Sequence, residues 1–273
     1  MDGILVINKP AGMTSHDVIS RLRRKYKQKK FGHSGTLDPN ATGVLIVLCG
    51  NATKILQFLS DTDKTYEATI ELGHSTTTDD IWGEDVDTAP VNLDFNFNEE
   101  LQKFVGPLHQ QVPMTSAKKI QGKKLMEYQR EGIEVEPVYQ DVEVYSMEML
   151  DEDSLRFRVH CSSGTYVRSI CRDIALNTGN KGCMSSLQRV QVGRFSIDQA
   201  EDIDAEQHTL YPIELALDGF EQIEYEPIQD VLNGKHIRLE TQADSVCIMH
   251  EGKAMAIYQR HHANVFGSKR GLW

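Results

Sequence analysis

Gly32-His33-Ser34-Gly35-Thr36-Leu37-Asp38-Pro39-Asn40-Ala41-Thr42-Gly43-Val44-Leu45-Ile46-Val47 sets one acidic residue inside a turn of small residues, directly before a continuous apolar run. Glycine permits close backbone approach and unusual dihedral angles, and Pro39 fixes the chain just after Asp38. The Asp38 carboxylate would then sit on a rigid loop open to a ligand, the usual seat of a working side chain. The same residues also make an ordinary Asp-Pro turn between two elements. The remainder of the chain decides between these readings.

Working outward, four further blocks stand out: Asn8-Lys9-Pro10-Ala11-Gly12-Met13-Thr14-Ser15; Asp63-Lys64-Thr65-Tyr66; Ser116-Ala117 with Gln121-Gly122-Lys123-Lys124-Leu125; and Ser163-Gly164-Thr165-Tyr166-Val167-Arg168. With the Asp38 loop, these blocks resemble the TruB family, the bacterial tRNA pseudouridine-55 synthases, over roughly residues 3 to 200. The likeness fades toward its end, where only Arg189 and Val192-Gly193-Arg194-Phe195 still look familiar. The resemblance implies an α+β pseudouridine synthase fold, with a mixed, largely antiparallel central sheet flanked by helices and loops. A catalytic domain over 1–222 and a small PUA-like module over 223–273 are expected.

The resemblance also implies roles. Asp38 is the expected nucleophile. Arg168 is the cation that keeps it charged, and Tyr66 stacks on the uracil and is a candidate proton acceptor. His33, with Thr36 in the same loop, supports the space left by extruded bases, Lys54 lies at the rim, and Tyr166 packs beside the pocket. Lys118 and Lys123 belong to a segment, 110–135, that reads as a mobile basic RNA-binding loop. Lys9 and Pro10 organise the end of the first strand. The implied partner is the T arm of tRNA, acted on by a cytoplasmic monomer.

Composition agrees in part. A chain of 273 residues with 40% hydrophobic and 25% charged content is an ordinary globular protein with room for a buried core. No apolar run is long enough to span a membrane, and no basic region followed by an apolar core opens the chain. The five cysteines form no CxxC pair and read as reduced core residues. A net charge of −11 runs against phosphate binding. Its distribution answers this in part: residues 1–54 carry nine Lys or Arg against three Asp or Glu, and residues 61–107 two against twelve. A basic face can coexist with an acidic back, although solvated surface explains the same runs.

Periodicity supplies the elements. Gly3–Ile7 reads as a strand, and Ser15 as the N-cap of a helix with Val18, Ile19, Leu22 and Tyr26 on its apolar face and a basic polar side. Alternation predicts strands over Tyr66–Leu72 and Leu155–Cys161, the second stopped by Ser162-Ser163-Gly164. Val167, Ile170, Cys171, Ile174 and Ala175 then give a helical stripe with Arg168 in its first turn. Near the C-terminus, Val246–Met249 and Ala254–Tyr258 flank His250-Glu251-Gly252-Lys253 as a hairpin in a small all-β module.

Moving a uracil from nitrogen to carbon linkage leaves composition unchanged and in principle needs no cofactor. It needs a carboxylate, a base, a counter-ion and a dry pocket for an extruded base. Two departures from the family pattern occur: Thr77 where relatives carry Asp, and Thr115 where Tyr precedes Ser-Ala. Two rivals stay open, an RNA-folding factor that clamps without isomerising and an N-glycoside hydrolase using Asp38. Metal chemistry lacks a motif, since His261-His262 and Asp79-Asp80 show no ligand spacing, and Gly50-Asn51-Ala52-Thr53-Lys54 lacks a P-loop frame.

Overall fold

A computed structural model describes residues 1–59, 62–226 and 228–273. In chain order it begins with β1 (Gly3–Lys9), α1 (Ser15–Tyr26), β2 (Phe31–Ser34), β3 (Thr42–Cys49) and a 3-10 stretch, Gly50–Phe58. There follow β4 (Lys64–Leu72), β5 (His74–Thr76), β6 (Asp85–Thr88), α2 (Phe97–Gln102), β7 (Gly106–Gln111), β8 (Lys119–Ile120), β9 (Lys123–Lys124) and α3 (Leu125–Arg130). Then come β10 (Tyr139–Asp151), β11 (Arg156–Cys161), α4 (Val167–Asn177), β12 (Gly182–Val192), β13 (Phe195–Ser196) and β14 (Glu201–Asp202). The chain closes with β15 (Glu221–Glu224), α5 (Ile228–Leu232), β16 (Ile237–Arg238), β17 (Ser245–His250), β18 (Lys253–His262) and β19 (Val265–Gly271).

By contact the chain divides into two compact units, one of Met1–Pro39, Val44–Ser60 and Gly193–Trp273, the other of Asn40–Gly43 and Asp61–Val192. This division interleaves along the sequence.

In the first unit β1 pairs in parallel with β14, and β2 lies antiparallel to β3 with His33 opposite Val47. Leu5 and Ile7 of β1, Leu45 and Val47 of β3, and Val18, Ile19 and Leu22 of α1 form one buried cluster, against which Tyr26 packs. The helix starts one residue earlier than a Ser15 cap would give. Thr14 is the N-cap, its hydroxyl accepting from Asp17 N–H at 3.0 Å while the Asp17 carboxylate accepts from Thr14 N–H at 3.0 Å. Hydrogen bonds donated to it by the Thr14 hydroxyl and the Thr14 N–H hold the Asp17 carboxyl below its ordinary pKa. The end of the same unit is a five-stranded sheet, β15-β17-β18-β19-β16, around a cluster of its own centred on Val246, Ile248, Tyr258 and Phe266. The predicted hairpin is β17–β18; the all-β expectation is corrected by the short α5, and the sheet begins at Glu221.

The second unit is built on the antiparallel run β12-β4-β11-β10-β7, to which Thr42 and Gly43 add a parallel pairing with Gln188 and Arg189. Tyr66, Ala68 and Ile70 alternate into the core of β4 as the pattern predicts. Leu155 is excluded from its strand because it turns with φ of 52°. The expectation of a loop over 110–135 is corrected. Lys119–Ile120 and Lys123–Lys124 pair across a two-residue turn, and a helical turn follows. All five cysteines are free and buried, and burial pushes the thiols of Cys161 up to about 11 and of Cys183 and Cys247 up to about 12.

Candidate active site

Asp38, His33, Thr36 and Lys54 belong to the first unit; Tyr66, Arg168, Tyr166, Lys118 and Lys123 belong to the second. Asp38 is half-buried in the connection between β2 and β3, and the chain is clamped on both sides of it. Before it, the Ser15 hydroxyl accepts from Leu37 N–H at 3.0 Å and donates to Leu37 O at 3.2 Å. After it, the Lys9 ammonium, fully buried, donates to Pro39 O at 2.8 Å. Lys9 also donates to Met13 O at 2.6 Å and Pro10 O at 2.8 Å. A buried cation is tolerated where oxygen acceptors surround it, and here they fix the backbone on which the carboxylate rides.

Arg168 is 5% exposed, in the first turn of α4. Its Nη1 donates to Thr115 Oγ1 at 2.6 Å and Thr78 O at 2.9 Å, and meets Asp80 Oδ2 at 3.4 Å. Asp80 is itself anchored, since its Oδ1 accepts from Thr78 Oγ1 at 2.6 Å and from Trp82 N–H at 3.1 Å. Beside this pair, Asp79 meets Arg172 at 2.9 Å, and burial raises the Asp79 pKa despite both arginines. Asp79-Asp80, featureless as a metal pattern, is thus the acidic half of an arginine-binding turn. Thr115, one of the two departures from the family pattern, touches the guanidinium directly.

Tyr166 is the N-cap of α4 and offers its helix no side-chain cap. Gln110 on β7 substitutes for one: its Oε1 accepts from Tyr166 N–H at 2.8 Å and its Nε2 donates to Tyr166 O at 3.0 Å. The turn before it is held by Gln140, which donates to Gly164 O at 2.6 Å and accepts from Lys118 Nζ at 3.3 Å. Lys118 therefore reaches the Arg168 turn through one intermediary. Lys123 pairs with Glu131 and lies 4.7 Å from the Tyr128 ring centre.

Tyr66 is buried in β4, opposite Val159 of β11 and Arg189 of β12. Arg189, fully buried, lies beside Gly43 in the parallel register. A Cβ on Gly43, where φ is +100°, would stand 2.2 Å from Arg189 O, so the strand after Asp38 approaches this arginine too closely for any side chain there. Sequence reading assigned no role to Arg189, Asp80 or Gln110, and gave Ser15 only that of a helix cap. The signals for Arg189 were its charge within an otherwise strand-like run and its place among the residues that look familiar from the family. Thr36 is exposed and His33 half-buried. Lys54 donates to Trp273 O, and its pKa is lowered by burial and by Lys30 and Arg270 nearby. In α1, Arg21 pairs with Asp204, Arg23 donates to Phe31 O at 2.9 Å and Lys25 to Ala205 O, so three of the four Lys and Arg residues of α1 tie the helix down.

Among the described residues no group of His, Cys, Asp and Glu is placed to hold a metal ion, and no helix is long and apolar enough to cross a membrane.

The chain is similar to proteins named tRNA pseudouridine synthase B. That of Oceanobacillus iheyensis is 42% identical over 97% of this chain and 94% of its own length. That of Bacillus subtilis is 39% identical over 100% and 96%. A solved Cbf5-Nop10-Gar1 complex matches 99% of this chain and 85% of that one with a TM-score of 0.72 at 21% identity, a likeness of fold. The family profile described as TruB family pseudouridylate synthase, N-terminal domain, matches residues 23–167. The chain belongs to the TruB family of pseudouridylate synthases, and so to the isomerases.

Proposed function

We propose that this chain isomerises the T-loop uridine at position 55 of tRNA to pseudouridine, with Asp38 as nucleophile. The observation that carries the reading is the double clamp on the Asp38 backbone by Ser15 and Lys9. A loop of no chemical consequence has no need of a buried ammonium to hold it, whereas a nucleophile held within a fraction of an ångström gains most of its advantage from position. The likeness to relatives named tRNA pseudouridine synthase B over nearly the whole chain supports the substrate.

In this reading the target uridine leaves the T loop and stacks on Tyr66. Unstacking costs a few kcal/mol, offset by roughly 1–3 kcal/mol from stacking and by phosphate contacts from Lys118 and Lys123. Asp38 attacks, the N-glycosidic bond breaks, the uracil turns and rejoins through C5, and Tyr66 accepts the proton that C5 loses. Arg168 favours the charged form of the nucleophile, its own orientation being set by Asp80 and Thr115. His33 and Thr36 support the space vacated by extruded bases, with Lys54 at the rim and Tyr166 beside the pocket. The enzyme acts as a cytoplasmic monomer, and residues 223–273 form a PUA-like RNA-binding module.

The test is tritium release from a T-arm stem-loop labelled at C5 of its uridines, with no metal or cofactor added. The native chain releases tritium, and Asp38→Asn releases none while binding the RNA with unchanged affinity. RNA bound by both and label lost from neither would replace this reading with that of an RNA-folding factor.

A further inference from the structure

Trp82 is one of only two tryptophans in the chain and is 48% exposed. An indole left in water on a rigid support is an uncommon use of the largest apolar side chain. The support is rigid here. Trp82 N–H is bonded to Asp80 Oδ1, Ile81 N–H to Met184 O at 3.0 Å, and Met184 N–H to Asp79 O at 3.0 Å. Gly83 closes the turn so tightly that a Cβ on it would meet Thr78 Oγ1 at 2.4 Å.

Trp82 forms one wall of a cavity of about 280 Å³ within the second unit, with Arg156, Glu67, Asn40, Ser186 and Gln188 among its other walls. That volume lies just below the range of about 300–1,000 Å³ that takes a drug-sized ligand, and suits one planar ring system. Its charge is balanced: Arg156 meets Glu67 at 2.5 Å, and Glu67 also meets Arg158 at 2.7 Å. Burial alone would raise the Glu67 pKa, and the two arginines overcome that and lower it. With its guanidinium already paired, the cavity is poorly suited to a phosphate. What it offers is an aromatic face together with the side-chain amides of Asn40 and Gln188, neither hydrogen-bonded among the described residues. An aromatic face beside free amide donors and acceptors is the means by which proteins hold an unstacked base.

We infer that the Trp82 cavity binds a second unpaired nucleobase of the RNA substrate, distinct from the uridine that reacts. The inference rests on the tRNA reading above. The Asp80 carboxylate that orients Arg168 also fixes the Trp82 backbone, so the cavity and the proposed counter-ion share local scaffolding.

The experiment uses the full chain carrying Trp273→Phe, so that Trp82 is the sole tryptophan. The T-arm stem-loop is titrated while indole emission and the anisotropy of a labelled RNA are followed together. Emission is quenched with the same Kd that anisotropy reports. Trp82→Ala, which keeps the main-chain N–H to Asp80, raises Kd and KM about 5- to 100-fold, the range that loss of one stacked base produces. Its kcat at saturating RNA falls by much less, and Trp82→Phe recovers most of the affinity. Anisotropy reporting bound RNA while emission stays constant would overturn the proposal and leave the tRNA reading intact; absence of any RNA binding would overturn both. Free uridine and adenosine monophosphates, tested separately, quench only weakly. Equal saturation by them and by the stem-loop would overturn RNA as the source of the base.

Discussion

Asp38 and Arg168 are immobilised by opposite means. The turn at Asp38 is gripped through its main chain, with the Lys9 ammonium on the carbonyl after it and the Ser15 hydroxyl on the peptide before it, leaving the side chain uninvolved in either bond. At Arg168 the guanidinium itself is gripped, by Thr115, Thr78 O and Asp80. A carboxylate that must form and break a covalent bond is best positioned from behind. A cation that supplies field without reacting can share its donors with a fixed framework, because its charge remains whichever oxygen it touches.

The contrast can be broken from either side. The largest effect is expected from Lys9→Met, which keeps the apolar stem and removes the buried donor from three carbonyls. Stability falls by about 3 kcal/mol or more, the scale of several buried acceptors losing a charged partner. Urea unfolding measures it, and a loss below about 1 kcal/mol would show that the Asp38 turn stands without this clamp. Next comes Asp80→Asn, which weakens a charge-assisted contact to Arg168. Single-turnover isomerisation should slow roughly 10- to 100-fold at saturating RNA, matching 1.5–3 kcal/mol for a hydrogen bond to a charged group. An unchanged rate would mean that the grip on the guanidinium has no bearing on chemistry. Smallest is Thr115→Val, removing one neutral acceptor at 2.6 Å from Nη1. About 1 kcal/mol, or roughly a five-fold fall in kcat, is expected, and a larger loss than that of Asp80→Asn would transfer the main positioning role from the carboxylate to the hydroxyl.

How far each region could be read beforehand follows the same contrast. The Asp38 turn is local: Gly35, Pro39 and Gly43 announce it within nine residues, and the apolar run from Val44 fixes the strand behind it. The surroundings of Arg168 are assembled from Thr78, Asp80 and Thr115, which lie 53 to 90 residues earlier, and nothing in the spacing of Asp79-Asp80 marked either as an arginine partner. Two hairpins make the point within secondary structure. Glu251-Gly252 and Gln121-Gly122 both turn with positive φ at each residue, the geometry of the tightest two-residue connection. The first was legible because continuous apolar runs, Val246–Met249 and Ala254–Tyr258, flank it on either side. The second joins strands of only two residues, three of the four being lysine, so no periodicity existed to reveal it. The helix after it, six residues long, is likewise shorter than a helical pattern needs.

The buried cysteines have a practical consequence. With every native thiol enclosed and burial pushing those of Cys161, Cys183 and Cys247 up to about 11 or 12, the folded chain presents no competing thiolate to a maleimide at neutral pH. A cysteine placed at exposed Ser186, on the wall of the Trp82 cavity, would take a single probe without removal of any native cysteine. The molecule is in this sense already prepared for site-specific labelling, and its own core chemistry provides the selectivity.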